Sequence, residues 1–160
     1  MPIRHTDKGW FWGSKGPFPT KAKALAVGRA AYSSGYKEQI MDKSHCAQLI
    51  QCLFHSATST HILHLQTRSY AEHVALGEYY AEIVDLADAI AEAYQGKYGI
   101  IEGYTADYQL PTNTIETLIA VNDCIAEHRA ELPQDTEIQN LIDEAVALVD
   151  ATLYKLRFLG

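Results

Sequence analysis

Apolar side chains recur at helical spacing through most of the chain after residue 44. Positions three and four residues apart form one face of an α-helix, so this pattern predicts four long helices. The predicted helices cover residues 44–66, residues 69–95, a segment that starts at 113 and a segment that opens at 133–135. Four amphipathic helices in a chain of this length predict an all-α fold, a four-helix bundle.

Two of these helices start with a capping signal. Ser69 stands three residues before Glu72, which is the spacing of a capping box. Asn113 stands three residues before Glu116 in the same way, and asparagine is among the favoured N-cap residues. Both starts are therefore expected at these positions.

The connection between the second and third predicted helices is much longer than the other two. It covers residues 96–111, and about sixteen extended residues can reach about 53 Å. A helix of 25 residues is only about 38 Å long, so the connection can cross the whole bundle. This favours a long crossover between parallel second and third helices, as in ferritin-like bundles, whereas the alternative is a functional loop in an up-down-up-down bundle.

The first 43 residues differ in composition from the rest. The stretch from Trp10 to Pro19 mixes large aromatic residues with turn formers and predicts a short strand or hairpin followed by an irregular turn. Thr20 then caps an alanine-rich run that predicts a short helix over 21–32. We therefore divide the chain into an N-terminal arm, 1–43, and the helical bundle, 44–160.

Charge changes sign close to this boundary. Residues 1–45 carry eight basic and three acidic side chains, a net charge of +5, whereas residues 46–160 carry a net charge of −12. Such an arm could contact DNA, an acidic protein partner such as a virion component, or its own acidic body. The residues expected to dock the arm or to contact nucleic acid are Trp10, Trp12, Lys15, Lys21, Lys23 and Arg29.

Two classes of protein are disfavoured. No segment approaches the roughly 20 apolar residues of a membrane span, and Met1 is not followed by the apolar stretch of a signal peptide. We therefore expect no membrane association and place the protein in the cytoplasm of its host cell. The three cysteines form no C-x-x-C pair, so neither a zinc knuckle nor a disulfide framework is indicated.

The histidines are concentrated in one part of the chain. Five of the seven fall within residues 45–73. Helical phase places His61 and His64 on the apolar stripe of the first long helix, and His73 at the margin of the stripe on the second. Two explanations remain open, since His61 and His64 are either metal ligands or hydrogen-bonded core histidines.

Four ligand-type residues follow one another at intervals of twelve, fifteen and four: His61, His73, Asp88 and Glu92. Imidazoles and carboxylates suggest a transition-metal site such as iron. Antiparallel pairing of the first two long helices about Thr67 predicts His61 opposite His73. The two acids then lie about 22 to 28 Å further along the second helix, so one chain cannot bring the four together. The alternative for the acids is a solvated helix flank.

At these positions the chain resembles the Dps-type mini-ferritins. Their ferroxidase site has the same intervals, and its two halves come from two subunits related by a two-fold axis. The resemblance implies a homo-oligomer that binds iron and could oxidise it, with a site formed by His61, His73, Asp88 and Glu92 and joined or tuned by His64. No catalytic residue is assigned, and in some members of that family a basic N-terminal arm binds DNA.

The chain also departs from that family. Gly77 stands where the family has an acid, and Ile62 stands where it has a tryptophan. These changes leave open whether a site here oxidises iron. The larger di-iron carboxylate proteins are disfavoured, because the chain has no E-x-x-H pair.

A second resemblance is to tailed-bacteriophage proteins. It rests on the W-x-W-G-S-K-G-P-F pattern that begins at Trp10 and on the segment 66–99, which includes S-Y-A-E-H-V-A-L-G-E-Y-Y. This resemblance implies a competing function: a non-enzymatic structural protein of the virion, in the capsid, the neck or the interior, which uses the bundle as a scaffold and the arm as an anchor. A third hypothesis is DNA compaction through the basic arm without metal.

Overall fold

The computed structural model describes residues 3–13, 15–33, 43–109 and 111–159. The chain divides into two compact units, Met1–Ile40 and Met41–Gly160, which we term the N-terminal unit and the helical unit. The N-terminal unit contains β1 (Ile3–Thr6), β2 (Gly9–Trp12), β3 (Lys15–Phe18) and α1 (Lys21–Ser33). The helical unit contains α2 (Lys43–Gln66), α3 (Tyr70–Tyr98), α4 (Thr114–Arg129) and α5 (Thr136–Phe158).

The N-terminal unit corrects the all-α prediction. Its three strands form an antiparallel sheet in the order β1-β2-β3, with Ile3 paired to Trp12 and Thr6 to Gly9. The expected hairpin is thus part of a larger sheet. The sheet forms because bulky aromatic residues suit a pleated surface and because one of them can be buried. Trp12 is only 4% exposed and lies against Gly28 of α1, where a Cβ atom would stand 2.5 Å from Trp12 Nε1.

The caps predicted for two of the long helices are confirmed. Ser69 Oγ accepts the backbone N–H of Glu72 at the start of α3, and Asn113 Oδ1 accepts that of Glu116 at the start of α4. The predicted end of α3 at Gly96 is wrong. The helix continues to Tyr98 and ends at Gly99, which adopts the positive φ of 85° that a glycine at this position allows.

Each long helix of the helical unit packs against two others. α2 contacts α3 and α4, and α5 contacts the same two helices. The interior is built from apolar side chains that all four contribute. Its largest fully buried members are Leu49, Ile50, Leu53, Leu76, Tyr79, Ile83, Ile90, Tyr94, Leu118, Ile125, Ile138 and Ile142.

Contacts near the helix ends show the direction of the helices. Lys97 Nζ, at the end of α3, lies 2.9 Å from Glu137 Oε1 at the start of α5, and Lys155 near the end of α5 pairs with Glu78 near the start of α3. α3 and α5 therefore run antiparallel. α2 and α4 also run antiparallel, because His45 at the start of α2 contacts His128 at the end of α4.

The connection from α3 to α4 follows α2 along its length. Side chains spaced along α2 form hydrogen bonds with residues in the same order along the connection: Lys43 with Ile100, Gln51 with Thr105, and Ser59 with Tyr108. The connection then delivers Thr114, the first residue of α4, to Glu72 near the start of α3, with an Oγ1–Oε1 distance of 2.6 Å. α3 and α4 therefore start at the same end of the helical unit and run in the same direction. Among the described residues, no helix has the length and apolar character that spanning a membrane requires.

Candidate histidine site at the α2–α3 turn

Two histidines hold each other across the turn between α2 and α3. His64 Nδ1 lies 2.7 Å from the backbone oxygen of His73, and His73 Nδ1 lies 3.1 Å from the backbone oxygen of His64. The two rings stack with centroids 3.7 Å apart. Because a carbonyl oxygen only accepts hydrogen bonds, each Nδ1 must carry the proton. In the neutral ring each Nε2 then keeps a free lone pair, which is the state in which histidine binds a metal ion.

His61 stands beside this pair and is not opposite His73. Its ring stacks on Tyr80, with centroids 4.1 Å apart, and lies 5.9 Å from the ring of His64. The predicted pairing about Thr67 is therefore displaced by about one helical turn, and His64 takes the place expected for His61. The reason is that the three-residue turn places the centre of the antiparallel pair between residues 68 and 69 and not at Thr67. When the centre moves along the chain by some number of residues, the position that faces His73 moves by twice that number.

The turn itself is fixed by a carboxylate. Glu72 accepts hydrogen bonds from the hydroxyl groups of Thr67 and Thr114, which lie on either side of it. Thr67 Oγ1 also accepts the backbone N–H of Ser69. Both oxygens of Glu72 are thus engaged in holding the turn and the start of α4. These hydrogen bonds restrain the turn that separates His64 from His73.

The predicted acids lie away from the histidines of the same chain. Asp88 and Glu92 are both exposed on α3, and they follow His73 by fifteen and nineteen residues, or about 22 and 28 Å along the helix. Within the part of the chain that the structure describes, no three His, Cys, Asp or Glu side chains form a group able to hold a metal ion. A site that includes Asp88 and Glu92 therefore stays a prediction that requires a second chain.

A second histidine pair was not predicted from the sequence. His45 Nδ1 and His128 Nδ1 lie 3.1 Å apart between the start of α2 and the end of α4. Burial lowers the pKa of His128, the nearby His45 adds to this effect, and Glu127 opposes it. The two residues are 83 positions apart and follow no motif, so no sequence signal points to this pair.

A cleft of about 550 Å³ lies between α2, α4 and the connection that follows α2. Its polar lining includes Gln51, His55 and Glu116, and the thiol-bearing Cys52 also lines it. The ring of His55 meets the ring of Tyr108 edge to face at 5.2 Å. Hydrogen bonds and the contact between His55 and Tyr108 hold the connection to α2 beside the cleft.

The predicted contact residues of the N-terminal unit fall into two groups. Lys15, Lys21, Lys23 and Arg29 are exposed and remain available to an anionic partner. Trp12 is buried, which leaves little of its ring exposed to a partner, and its role in docking or nucleic-acid contact stays a prediction. Trp10 is half-buried, with His5 stacked at 4.5 Å and Lys21 Nζ 5.7 Å from its ring.

Comparison with known proteins places the helical unit in a family. A family model described as "Family of unknown function (DUF5856)" matches residues 64–156. The chain is also 33% identical over 110 residues to an "Uncharacterized 14.6 kDa protein in mobD-ri intergenic region" of Enterobacteria phage T4, an alignment that covers 66% of this chain and 78% of the relative. No solved structure matches. These findings support the resemblance to phage proteins, whereas no ferritin or Dps family matches.

Proposed function

We propose that this chain, which belongs to the DUF5856 family of unknown function, binds a transition-metal ion at a site that two copies of the helical unit complete, with iron as the expected metal. The observation that carries the proposal is the His64–His73 pair. Both rings are fixed by hydrogen bonds from Nδ1 to backbone oxygens, so both Nε2 atoms are presented as ready ligands. A preformed pair of this kind lowers the entropic cost of binding an ion.

The packing of the helices supports a ferritin-like bundle as the scaffold. The pairs α3–α5 and α2–α4 run antiparallel, as the contacts at their ends show. α3 and α4 run parallel and are joined by a connection that follows α2. This is the arrangement of bundles with one long crossover. Such bundles place metal ligands on facing helices, which suits the histidines of α2 and α3.

An exposed strip of α3, formed by His73, Ala81, Asp88 and Glu92, suggests how a second copy would complete the site. The exposed Ala81 lies near the middle of this strip, and its small side chain would allow two α3 helices to approach closely. His73 precedes Ala81 by eight residues, whereas Asp88 and Glu92 follow it by seven and eleven. Two α3 helices crossed antiparallel at Ala81 would therefore bring His73 of one copy to both acids of the other. A two-fold axis would create two such sites in each dimer.

The proposed ligands suit ferrous iron. Imidazole nitrogens and carboxylate oxygens from a few side chains leave coordination positions open for oxygen. In this proposal His64 and His73 bind the ion from one copy, Asp88 and Glu92 neutralise its charge from the other, and His61 lies next to His64. Oxidation of the bound iron is the activity that the site would support, with iron as its substrate.

Metal binding by single and mixed variants tests the proposal. We expect ferrous iron and Zn²⁺ to bind the wild type with one site per chain, and binding to be lost in His73→Ala and in Asp88→Asn. A mixture of these two variants should recover roughly a quarter of the sites, because half of the dimers are mixed and each holds one intact site. His55→Ala, which changes a histidine in the cleft, is the matched control and should bind as the wild type does.

Two results would reject the shared site. One is a protein that is monomeric at micromolar concentration, and the other is a mixture of His73→Ala and Asp88→Asn that recovers no site although each variant dimerises. Iron oxidation is measured separately as ferric absorbance in air. Binding without oxidation would retain the metal site and reject only the ferroxidase activity.

The second candidate is a structural role in a phage particle, and the relative from phage T4 supports the phage origin that this role requires. In this role the helical unit is a scaffold, and the exposed cations of the N-terminal unit, such as Lys21 and Lys23, contact DNA or an acidic virion protein. Mass spectrometry of purified particles distinguishes the two locations, virion and host cytoplasm. Binding to DNA that disappears in Lys21→Glu/Lys23→Glu and weakens steeply with salt would identify DNA as the partner.

A further inference from the structure

The cleft between α2, α4 and the connection is elongated. Its lining on α2 extends from Gln48 to Ser59, or about 16 Å along the helix. The wall formed by α4 extends from Asn113, the N-cap, to Val121, or about 12 Å. The volume of about 550 Å³ lies within the range of clefts that hold small molecules. Solutes can reach the cleft, because several lining side chains, among them Glu116, are exposed.

Apart from histidine, the charged side chains of the segments that form this cleft are all acidic. The segments 44–66 and 99–128 contain no lysine or arginine. Their acidic residues are Glu102, Asp107, Glu116, Asp123 and Glu127. The flanking cations Lys43, Arg68 and Arg129 do not belong to the lining. Among the described lining residues the one carboxylate is that of Glu116. The local field therefore attracts cations into the cleft.

The start of α4 does not make this cleft an anion site. A helix N-terminus carries a partial positive charge that favours anions. Here Asn113 Oδ1 accepts the backbone N–H of Glu116 at 3.0 Å, and the carboxylate of Glu116 lies in the first turn of the helix. Both groups offset the partial charge. A phosphate would also meet no lysine or arginine among the described lining residues.

The lining combines oxygen acceptors with apolar and aromatic surface. Tyr108 is 39% exposed, and its hydroxyl group lies 3.3 Å from Ser59 Oγ. The face of its ring can attract a cation. Pro111 and Ala120 offer apolar contacts to methylene groups. Side-chain oxygens that can accept hydrogen bonds from N–H groups belong to Gln48, Ser59, Gln109, Thr112 and Thr117.

We propose that this cleft binds a linear aliphatic polyamine, a methylene chain that carries ammonium groups at intervals. Glu116 pairs with one ammonium group, and the lining oxygens accept hydrogen bonds from the others. The methylene groups pack against Pro111 and Ala120. A compact cation such as Mg²⁺ keeps most of its water and would use only Glu116, whereas an elongated cation uses the length of the cleft. The inference goes beyond the proposed metal site, whose ligands lie at the α2–α3 turn and on α3.

Titration calorimetry of the full-length protein with spermidine tests the proposal. Low ionic strength is required, because salt screens the attraction. We expect one site per chain in the wild type and an affinity lower by roughly tenfold or more in Glu116→Gln, which loses a charged hydrogen-bond partner. Glutamine is also a favoured residue in a capping box, so the start of α4 is retained. Glu144→Gln is the matched control, since it removes the same charge from an exposed position of α5 outside the cleft and should leave the affinity nearly unchanged.

A steric variant tests the location independently of charge. Ala120→Phe places a ring in the cleft at an exposed position and keeps the net charge, so spermidine binding should be lost. In the wild type, spermidine should shift the amide NMR signals of Gln51 and Thr105, which bond each other beside the cleft. This map decides the location even where a variant fails to fold. Zn²⁺ binding at His64 and His73 should be unchanged in Ala120→Phe, so the two proposals fail separately.

Several results would overturn the proposal. Equal weakening by Glu116→Gln and Glu144→Gln would show a general attraction of cations to an acidic protein. Spermidine binding that persists in Ala120→Phe would place the ligand elsewhere. Adenosine that binds more tightly than spermidine would assign the cleft to neutral ligands. The absence of any spermidine binding by the wild type would reject the site outright.

Discussion

Gly77 lies directly against the imidazole of His64: a Cβ atom at Gly77 would be 3.5 Å from His64 Cε1, an ordinary van der Waals distance. A side chain at this position therefore fits without displacing the ring. It would also project toward the histidine pair, at the position where the mini-ferritins that the chain resembles have an acid. The natural glycine leaves this part of the proposed site without a carboxylate.

Gly77→Asp should strengthen metal binding. A carboxylate beside the His64–His73 pair adds an anionic ligand, and we expect the affinity for Zn²⁺ or ferrous iron to rise on the order of tenfold, or about 1.4 kcal/mol. Titration calorimetry measures this change. Gly77→Asn has nearly the same shape without the charge and is the control. Equal affinities for the two variants would show that Gly77 is not beside a metal site.

The stability of the helical unit should fall as the pH drops below about 6.5, in part through His128. Burial lowers the pKa of His128 in the folded state, so between that lowered pKa and the ordinary value of about 6.5 the unfolded chain binds more protons than the folded one. The contribution of His128 is therefore fully present above pH 6.5 and is lost as the pH falls through this window. It is constant again below the folded pKa.

Urea denaturation at pH 7.5 and 5.5 tests whether the stability falls with the pH as predicted. The wild type should lose more stability over this interval than His128→Gln, which has no titrating group at that position. The groups that act on His128 are His45 and Glu127, and both remain in the variant. A larger loss in the variant than in the wild type would contradict the prediction.

Gln51 should hold the connection between α3 and α4 in place. Its Nε2 donates to the backbone oxygen of Thr105 at 2.8 Å, and its Oε1 accepts the backbone N–H of Thr105 at 2.9 Å. Gln51→Ala removes both bonds, at a cost of about 1 to 2 kcal/mol. We expect the amide of Thr105 to exchange its hydrogen roughly tenfold faster. Gln48→Ala, one turn earlier on α2 and exposed, is the control and should leave that exchange rate unchanged.

Replacing Gly28 by alanine should destabilise the N-terminal unit. The added Cβ would lie 2.5 Å from Trp12 Nε1, and a buried indole ring cannot move aside freely, so a cost of about 1 to 3 kcal/mol is expected. Tryptophan fluorescence reports this unit alone, because Trp10 and Trp12 are the two tryptophans of the chain. The midpoint of urea denaturation, followed by fluorescence, should therefore shift to a lower urea concentration.

Gly96→Ala is the matched substitution in the helical unit. Nothing lies within 4 Å of a Cβ atom at Gly96, and the residue stands inside α3. Alanine should stabilise this helix by about 0.5 to 1 kcal/mol, and circular dichroism should record the gain. If Gly28→Ala lowers the free energy of unfolding and Gly96→Ala raises it, the contacts of the added Cβ atom decide the effect, and the replacement of glycine as such does not.

The N-terminal unit shows where prediction from local sequence reaches its limit. The aromatic and turn-forming residues around Trp10 indicated a strand, and the alanine-rich run indicated α1, and both are present. The strand β1 and the burial of Trp12 were not predicted. The burial of Trp12 depends on Gly28, which packs against its ring from a separate helix. One aromatic residue of a local pattern is therefore a core residue, and its neighbour Trp10 stays half-exposed.

The sequence alone determined the long helices, the caps at Ser69 and Asn113, and the length of the connection after α3. These features depend on residues a few positions apart, where periodicity and hydrogen-bonding side chains act directly. Only the tertiary structure decided that His73 faces His64 and that His45 meets His128. The physical reason is that a helix turns by about 100° per residue, so a shift of one or two residues in the packing of two helices exchanges one facing side chain for another.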